Sequence, residues 1–300
     1  MTDDERVFLE AYLQDRKKIV EDALSRYLPA DGNPPQIYEA VRYSVFNGGK
    51  RIRPILCLAA AEAVGGDLAP VMPVACALEL IHSYSLIHDD LPAMDDDDFR
   101  RGKPTCHKVF GEDIAILAGD ALLTEAFALL SHAEKIRLSA ERRLAVIQEI
   151  ASAAGIGGMV GGQALDVLSA AADAGEATLH EIHQRKTAAL ILAAVKAGAM
   201  MFNPGPEKMQ ALAEYGMNIG LAFQIADDIM NVEGDSALMG KQTGSDAARN
   251  KLTYPSLLGL ETSREKLAGY VNAALASLSG FDERAMPLFV IARYVMERKS

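Results

Sequence analysis

The chain has 300 residues, 50% of them hydrophobic and 24% charged, with a formal net charge of -11 and only 6% aromatic residues. A chain of this length buries about 75% of its unfolded surface, which excludes a disordered or low-complexity protein and leaves room for two average domains or one large one. Its Lys and Arg residues are not gathered into a basic face interleaved with aromatics, so no nucleic-acid partner is expected.

The first ten residues, MTDDERVFLE, are acidic and hold no apolar stretch of the signal-peptide kind. The longest clean apolar run, 187–195, is closed by Lys196 and falls well short of the roughly 18 residues that a membrane span needs. Cys57, Cys76 and Cys106 show neither metal-ligand spacing nor an even number for bridging. A soluble protein of a reducing compartment, the cytoplasm, with no membrane span, is the expectation.

Prolines punctuate the chain at 29–35, 54, 70–73, 92, 104, 204–206, 255 and 287, leaving 105–203 and 207–254 without any. Those gaps suit long helices. Apolar residues recur there with a period near 3.6 among Ala, Leu, Met, Glu and Lys, and alternating β-branched runs closed by Asn-Gly or Asp-Gly turns are missing. The pattern predicts helices at 4–28, 35–47, 51–64, 71–91, 112–131, 140–168, 176–201 and 207–234, with shorter ones to the C-terminus. No linker and no fixed-period repeat divides them. The expected fold is all-α, with residues 1–300 forming a single domain.

The helix predicted at 71–91 carries His82, Ser85 and Asp89 at i, i+3 and i+7, one stripe among apolar positions. It runs into six aspartates within residues 88–107. Asp95 would sit about 240° round an unbroken helix from Asp89, but Pro92 stops or bends the helix, and a bend brings Asp95 back beside Asp89. A second carboxylate stripe lies at 224–231, where Gln224, Asp227, Asp228 and Asn231 fall at i, i+3, i+4 and i+7. Mg²⁺ is commonly held by one or two carboxylates together with waters and substrate phosphates, so two such sites facing each other could clamp one polyphosphate. Each stripe alone is more often what a solvated helix face shows to water. Taken alone, the segment GGKRIRP at 48–54 is a basic helix entry and His82 a core histidine.

The spelling of these segments is more specific. DDLPAMD at 89–95 followed by RRG at 100–102, and FQIADD at 223–228, stand in order with GGKRIRP, GEDIAILAGDALL (111–123), GGQALD (161–166), KTAALI (186–191) and GKQTGSDAARNKLTYPSLLGLE (240–261). Together they resemble the short-chain trans-prenyl diphosphate synthases, and within them the bacterial farnesyl-producing branch, over roughly residues 37–297.

The resemblance implies an isoprenoid synthase fold, with helices around a deep central cavity, a homodimer, and small-molecule diphosphate substrates. It implies head-to-tail condensation of isopentenyl diphosphate with dimethylallyl or geranyl diphosphate to give farnesyl diphosphate. Asp89, Asp95 and Asp227, supported by Asp90 and Asp228, would hold three Mg²⁺ ions bridging the allylic diphosphate. Arg100, Lys186 and Lys241 would be further cationic contacts. Isopentenyl diphosphate must not ionise, and would be held without the metals by Lys50 and Arg53, with His82 and Arg101, while Gly48 and Gly49 let the backbone approach it. Thr187 and Gln224 would turn oxygens toward the nascent cation, and departing pyrophosphate would take the proton.

By the same resemblance, Tyr84 and Ser85, five and four residues before Asp89, stand where an elongating tail runs, and the aromatic Tyr84 limits the product to farnesyl. One departure is Asn231, where the second motif commonly ends in aspartate; an amide is a weaker ligand for a hard cation. A geranylgeranyl diphosphate synthase would share every motif. A terpene cyclase would have little use for Lys50 and Arg53, and a non-catalytic subunit of a heteromeric synthase would be marked by loss of an aspartate motif.

Overall fold

The computed structural model describes residues 1–132, 136, 138–169, 175–233 and 252–298. Among them the chain is almost entirely helical. It begins with α1 (Asp3–Tyr27), α2 (Pro35–Val45), α3 (Ile52–Ala63) and α4 (Leu68–Asp89). A minimal hairpin, β1 (Phe99–Arg100) and β2 (Lys103–Pro104), precedes α5 (Cys106–Phe110) and α6 (Glu112–Ser131). Then come α7 (Ala140–Ala154), α8 (Met159–Leu168), α9 (Glu176–His183), a π-helical turn (Gln184–Ala188), α10 (Ala189–Met200) and α11 (Pro206–Glu233). The chain closes with α12 (Tyr254–Leu258), α13 (Leu260–Ser277) and, after a 3-10 turn, α14 (Met286–Glu297).

Local chemistry sets several boundaries. Thr2 and Glu5 form a capping box that starts α1, each satisfying a backbone N–H that a helix start leaves without a partner. Pro34 and Pro35 open α2, where proline's missing donor costs nothing. The hairpin was not expected from the sequence. Its register pairs Arg100 with Lys103, and the two linking residues, Arg101 and Gly102, have φ of 54° and 77°. Positive φ at both central positions is the turn that matches strand twist.

Two predicted helices are divided in the structure. The helix expected at 140–168 breaks between α7 and α8 at Gly155, Gly157 and Gly158; a Cβ on Gly158 would lie 2.0 Å from the Ala153 carbonyl oxygen, so this turn closes only over glycine. The helix expected at 176–201 is interrupted by the π-turn. Gly162 on α8 and Gly220 on α11 let their helices close on that turn, since a Cβ on either would lie 2.2 Å from the Lys186 nitrogen and 2.6 Å from the Ala188 Cα, respectively. An apolar period runs straight through both interruptions, which is why it misses them.

Two buried clusters form the core, and α3 and α10 contribute opposite faces to both. Cys57, Leu58, Leu190 and Ala194 pack with α4 and α6, whereas Ile55, Leu56, Ile191 and Val195 pack with α11, α13 and α14. A helix that is apolar all round belongs inside a bundle, and ten of the 12 residues of α3 are buried. Near its N-terminus Arg51 adopts φ 56° and is buried against Glu79 (2.8 Å), Glu21 and the Val45 carbonyl (2.7 Å), which anchors the loop before α3 to α1, α2 and α4.

Among the described residues three segments are long and apolar enough to cross a membrane by length and composition alone, where no span was expected. Of these Leu68–Asp89 is 78% buried in the bundle, whereas Glu112–Ser131 and Ala140–Leu168 are 39% and 33% buried. The last is two helices, α7 and α8. A smoothed hydropathy tolerates the isolated charges and glycines at which an unbroken run stops.

Candidate active site

The first aspartate segment folds back on the end of α4. Asp89 is the last residue of that helix, and after Pro92 the Asp95 N–H donates to the Asp89 carbonyl oxygen at 2.8 Å. The chain bends in this way because the residue before a proline leaves the helical region and Asp96 takes φ 49°. The two acidic neighbours at 89 and 90 go separate ways. Asp90 is 3% exposed and accepts from Arg100 Nε (2.7 and 2.8 Å) and Nη2 (2.5 Å), with Asp97 3.7 Å from the same guanidinium. Asp89 instead accepts a hydrogen bond from Gln163 Nε2 on α8 at 2.8 Å.

Also on α8, three residues on from Gln163, Asp166 accepts from Lys186 Nζ at 2.5 Å. Burial by itself would lower the Lys186 pKa, but Asp166, Asp89 and Asp95 outweigh it and hold the ammonium above its ordinary value. The π-turn therefore carries a cation into the field of the first aspartate segment. Its next residue, Thr187, donates its hydroxyl to Gln224 Oε1 at 2.7 Å. Gln224 Nε2 donates to Asp228 Oδ1 at 2.9 Å, and Asp228 Oδ2 accepts from the Tyr254 N–H at 3.1 Å with His183 Nε2 3.6 Å away. Asp228 is thus a buried strut, 3% exposed.

Asp227 lies on the more open side of α11. Its side chain is 41% exposed and meets Arg298 Nη2 at 2.7 Å, while the same guanidinium lies 4.2 Å from the Phe223 ring centroid. Asn231 is half-buried one turn further on. Lys241 lies outside the described residues.

A different environment surrounds His82. Its pKa is held well below 6.5, first by burial and then by Arg53, Arg101, Arg100 and Arg51. Burial also lowers the pKa of Arg53 and of Arg101, and the Arg53 Nε is buried with no hydrogen-bond partner. The hairpin turn delivers Arg101 to the glycine loop, where its Nη1 donates to the Gly48 carbonyl and its guanidinium fills the space that Gly49 leaves beside the backbone. Lys50 Nζ stands 3.3 Å from the Tyr294 hydroxyl. Arginines gathered in this way around His82 make a surface suited to a direct anion contact.

Tyr84 is buried, 6% exposed, five residues before Asp89 on α4, and burial followed by the charge of Asp89 raises its hydroxyl pKa. Ser85 donates to the His82 carbonyl at 2.8 Å.

Oxygen donors dominate the aspartate segments, as a hard cation requires. Among the described residues no three His, Cys, Asp or Glu side chains come together as a closed metal cage. Carboxylates contributed singly from α4, its bend and α11 fit a cation that completes its shell with water and phosphate oxygens.

Five participants escaped sequence reasoning: Gln163, Asp166, His183, the backbone of Tyr254, and Arg298. For Gln163 and Asp166 a signal existed, since they sit at i and i+3 in GGQALD and so share a helix face. For the others the partner is remote in sequence.

A profile of the polyprenyl synthetase family matches residues 34–280. The chain is 46% identical over 293 residues to the geranylgeranyl diphosphate synthase of Cyanophora paradoxa, covering 97% of both. It is 46% identical over 290 residues to the farnesyl diphosphate synthase of Geobacillus stearothermophilus, covering 97% of this chain and 98% of that one. A crystal structure of an FPP/GFPP synthase from Zymomonas mobilis superposes with a TM-score of 0.83 at 38% identity, covering 99% of this chain and 100% of that one. With bent α4, paired α8 and π-turn, and α11 facing one another in an all-α isoprenoid synthase bundle, the chain belongs to the polyprenyl synthetase family and is a prenyltransferase, a trans-prenyl diphosphate synthase.

Proposed function

We propose that this enzyme condenses isopentenyl diphosphate with dimethylallyl or geranyl diphosphate to give (2E,6E)-farnesyl diphosphate. The observation that carries the reading is the pairing of two opposite anion-holding surfaces. One presents Asp89 and Asp95 with Lys186 in their field, joined by Asp227 from α11; the other gathers the buried Arg53 and Arg101 around His82. They are electrically in touch, since Arg53 senses Asp227 and Arg101 senses Asp90. A diphosphate that must leave and one that must stay call for these two kinds of grip.

Asp89, Asp95 and Asp227 would hold the Mg²⁺, three ions by the family's pattern, with Asp90 and Asp228 positioning Arg100 and Gln224 from behind. Bound there, Mg²⁺ would supply charge neutralisation for the departing diphosphate. Lys186 adds a fixed positive charge, and Arg100 and Lys241 are assigned to the same diphosphate. Lys50, Arg53, His82 and Arg101 would hold isopentenyl diphosphate by its oxygens, with Arg101 leaving the Gly48–Gly49 backbone as the anion arrives. The isopentenyl double bond then attacks the allylic cation, whose charge the oxygens of Thr187 and Gln224 face. Pyrophosphate takes the proton, so no side-chain base is assigned.

Tyr84 is assigned as the floor that stops the chain at C15, with Ser85 beside it. The curated relatives carry both farnesyl and geranylgeranyl names, and an aromatic side chain five residues before Asp89 favours the shorter product.

We also propose residues 1–300 as one domain, because α3 and α10 feed both core clusters. We assign the exposed apolar residues Ile116, Leu117, Leu144, Val160, Val167 and Leu168 of α6 to α8 to the interface of a homodimer, which the family resemblance implies. Three free, buried cysteines support a cytoplasmic setting.

The test is to incubate purified protein with Mg²⁺, isopentenyl diphosphate and labelled geranyl diphosphate, and to resolve the dephosphorylated products by length. Farnesol abolished by EDTA is expected, with geranylgeraniol from Tyr84→Ala. Geranylgeraniol from the wild type refutes the Tyr84 floor, and no condensation refutes the reaction.

A further inference from the structure

We propose that His88 is a specificity-determining positioning residue: wedged into the gap at Gly119 of α6, it holds the Tyr84 ring in place and thereby fixes how far the prenyl chain grows. The inference rests on the reading of Tyr84 as the cavity floor.

Tyr84 and His88 stand at i and i+4 on α4, the spacing at which helix side chains meet. Their ring centroids are 5.8 Å apart with planes at 78°, the edge-to-face arrangement that aromatic rings prefer. A lone tyrosine on a helix surface can exchange rotamers. Here the swing toward the C-terminal end of α4 is blocked by the imidazole, so the position of the phenol follows that of the histidine.

His88 is fixed in turn by α6, the helix packed most closely along α4. Its Nε2 lies 3.1 Å from the Ile116 carbonyl oxygen, and Asp120 Oδ1 is 4.0 Å away. A carbonyl only accepts, so Nε2 carries the hydrogen in this pairing. Gly119 makes the approach possible: a Cβ there would lie 2.1 Å from Nε2 and 2.5 Å from Cδ2 of His88. The imidazole occupies space that any other residue at 119 would fill. Although His88 is next in sequence to Asp89, it points to α6, whereas Asp89 accepts from Gln163 on α8, so the two neighbours are held by different helices.

The experiment compares wild type, His88→Ala, Gly119→Ala, His88→Gln and Tyr84→Ala by product length from geranyl diphosphate, by rate of geranyl diphosphate consumption and by thermal midpoint. His88→Ala and Gly119→Ala are expected to raise the geranylgeranyl-to-farnesyl ratio at least tenfold while consumption stays within about fivefold of wild type. His88→Gln, which keeps a donor for the Ile116 carbonyl, should restore part of the wild-type ratio. Gly119→Ala adds one methyl group on α6 and carries the test should His88→Ala fail to fold. Farnesyl alone from both variants, with a lengthened product from Tyr84→Ala, overturns the brace and leaves the floor standing. Loss of condensation in both overturns it too, by making His88 a support of Asp89. No lengthening from Tyr84→Ala removes the floor itself, and the brace with it.

Discussion

Asp89 and Asp90 are adjacent acids on the same turn, yet the structure separates their duties, and replacing each with its amide should separate two observables. Asp90 is 3% exposed and takes three hydrogen-bond contacts of 2.5 to 2.8 Å from Arg100. Burial alone would lower the Arg100 pKa, but the hydrogen bonds and charge of Asp90 hold it above its ordinary value. Asp90→Asn preserves shape and strands a largely buried guanidinium, an error that costs about 3–5 kcal/mol. Asp97, 3.7 Å from Arg100, offers a residual counter-charge, so the lower figure applies. For a chain of this size ~3 kcal/mol corresponds to a fall in Tm of roughly 5 °C. Asp89 accepts from the neutral Gln163 amide and is less buried than Asp90, so its amide should shift stability by less than about 1 kcal/mol while abolishing condensation. Scanning calorimetry of both variants, with Arg100→Met added to Asp90→Asn, makes the comparison. The double variant should recover stability relative to Asp90→Asn, because the stranded charge is gone. A Tm for Asp90→Asn within about 1 °C of the wild type would refute this account of the pair.

Three further outcomes are expected. The folded-state pKa of His82 is depressed below 6.5, so between the two values the unfolded chain binds the extra proton, and the contribution of His82 to stability is intact above pH 6.5 and lost as pH falls below it. At about 1.4 kcal/mol per pH unit at most, urea unfolding at pH 6.5 and 5.5 should show a smaller acid loss in His82→Gln than in the wild type; equal losses would remove the assignment. Asn231→Asp should lower the Mg²⁺ concentration for half-maximal rate more than it changes the maximal rate, and an unchanged titration would deny that position any metal role. Arg298 sits on the part-exposed Asp227 carboxylate, an ion pair of up to about 1 kcal/mol, so Arg298→Ala should tighten Mn²⁺ binding up to roughly fivefold in substrate-free electron paramagnetic resonance titrations; weaker binding would argue that Arg298 supports the cation instead of competing with it.

Much of the site was legible because its residues are local. Spacing put Gln224, Asp227 and Asp228 on one face of α11, Pro92 foretold the bend that returns Asp95 to Asp89, and motif order singled out Lys186 and Arg53 as candidates. Illegible were the groups that meet across the bundle: Gln163 on Asp89, Asp166 on Lys186, His183 and the Tyr254 backbone on Asp228.

By itself the sequence determined the helical class, most helix boundaries and which segments carry charge, since helix periodicity, proline placement and capping act within a few residues along the chain. Tertiary structure alone decided which member of each acidic pair turns inward. Asp90 and Asp228 became buried struts because Arg100 and the Gln224 amide reach them, while Asp89 and Asp227 remained part-exposed. It also decided where an apolar period is broken, at Gly155–Gly158 and at the π-turn, because those interruptions depend on how closely one helix backbone approaches another. No pattern along a single helix records that distance.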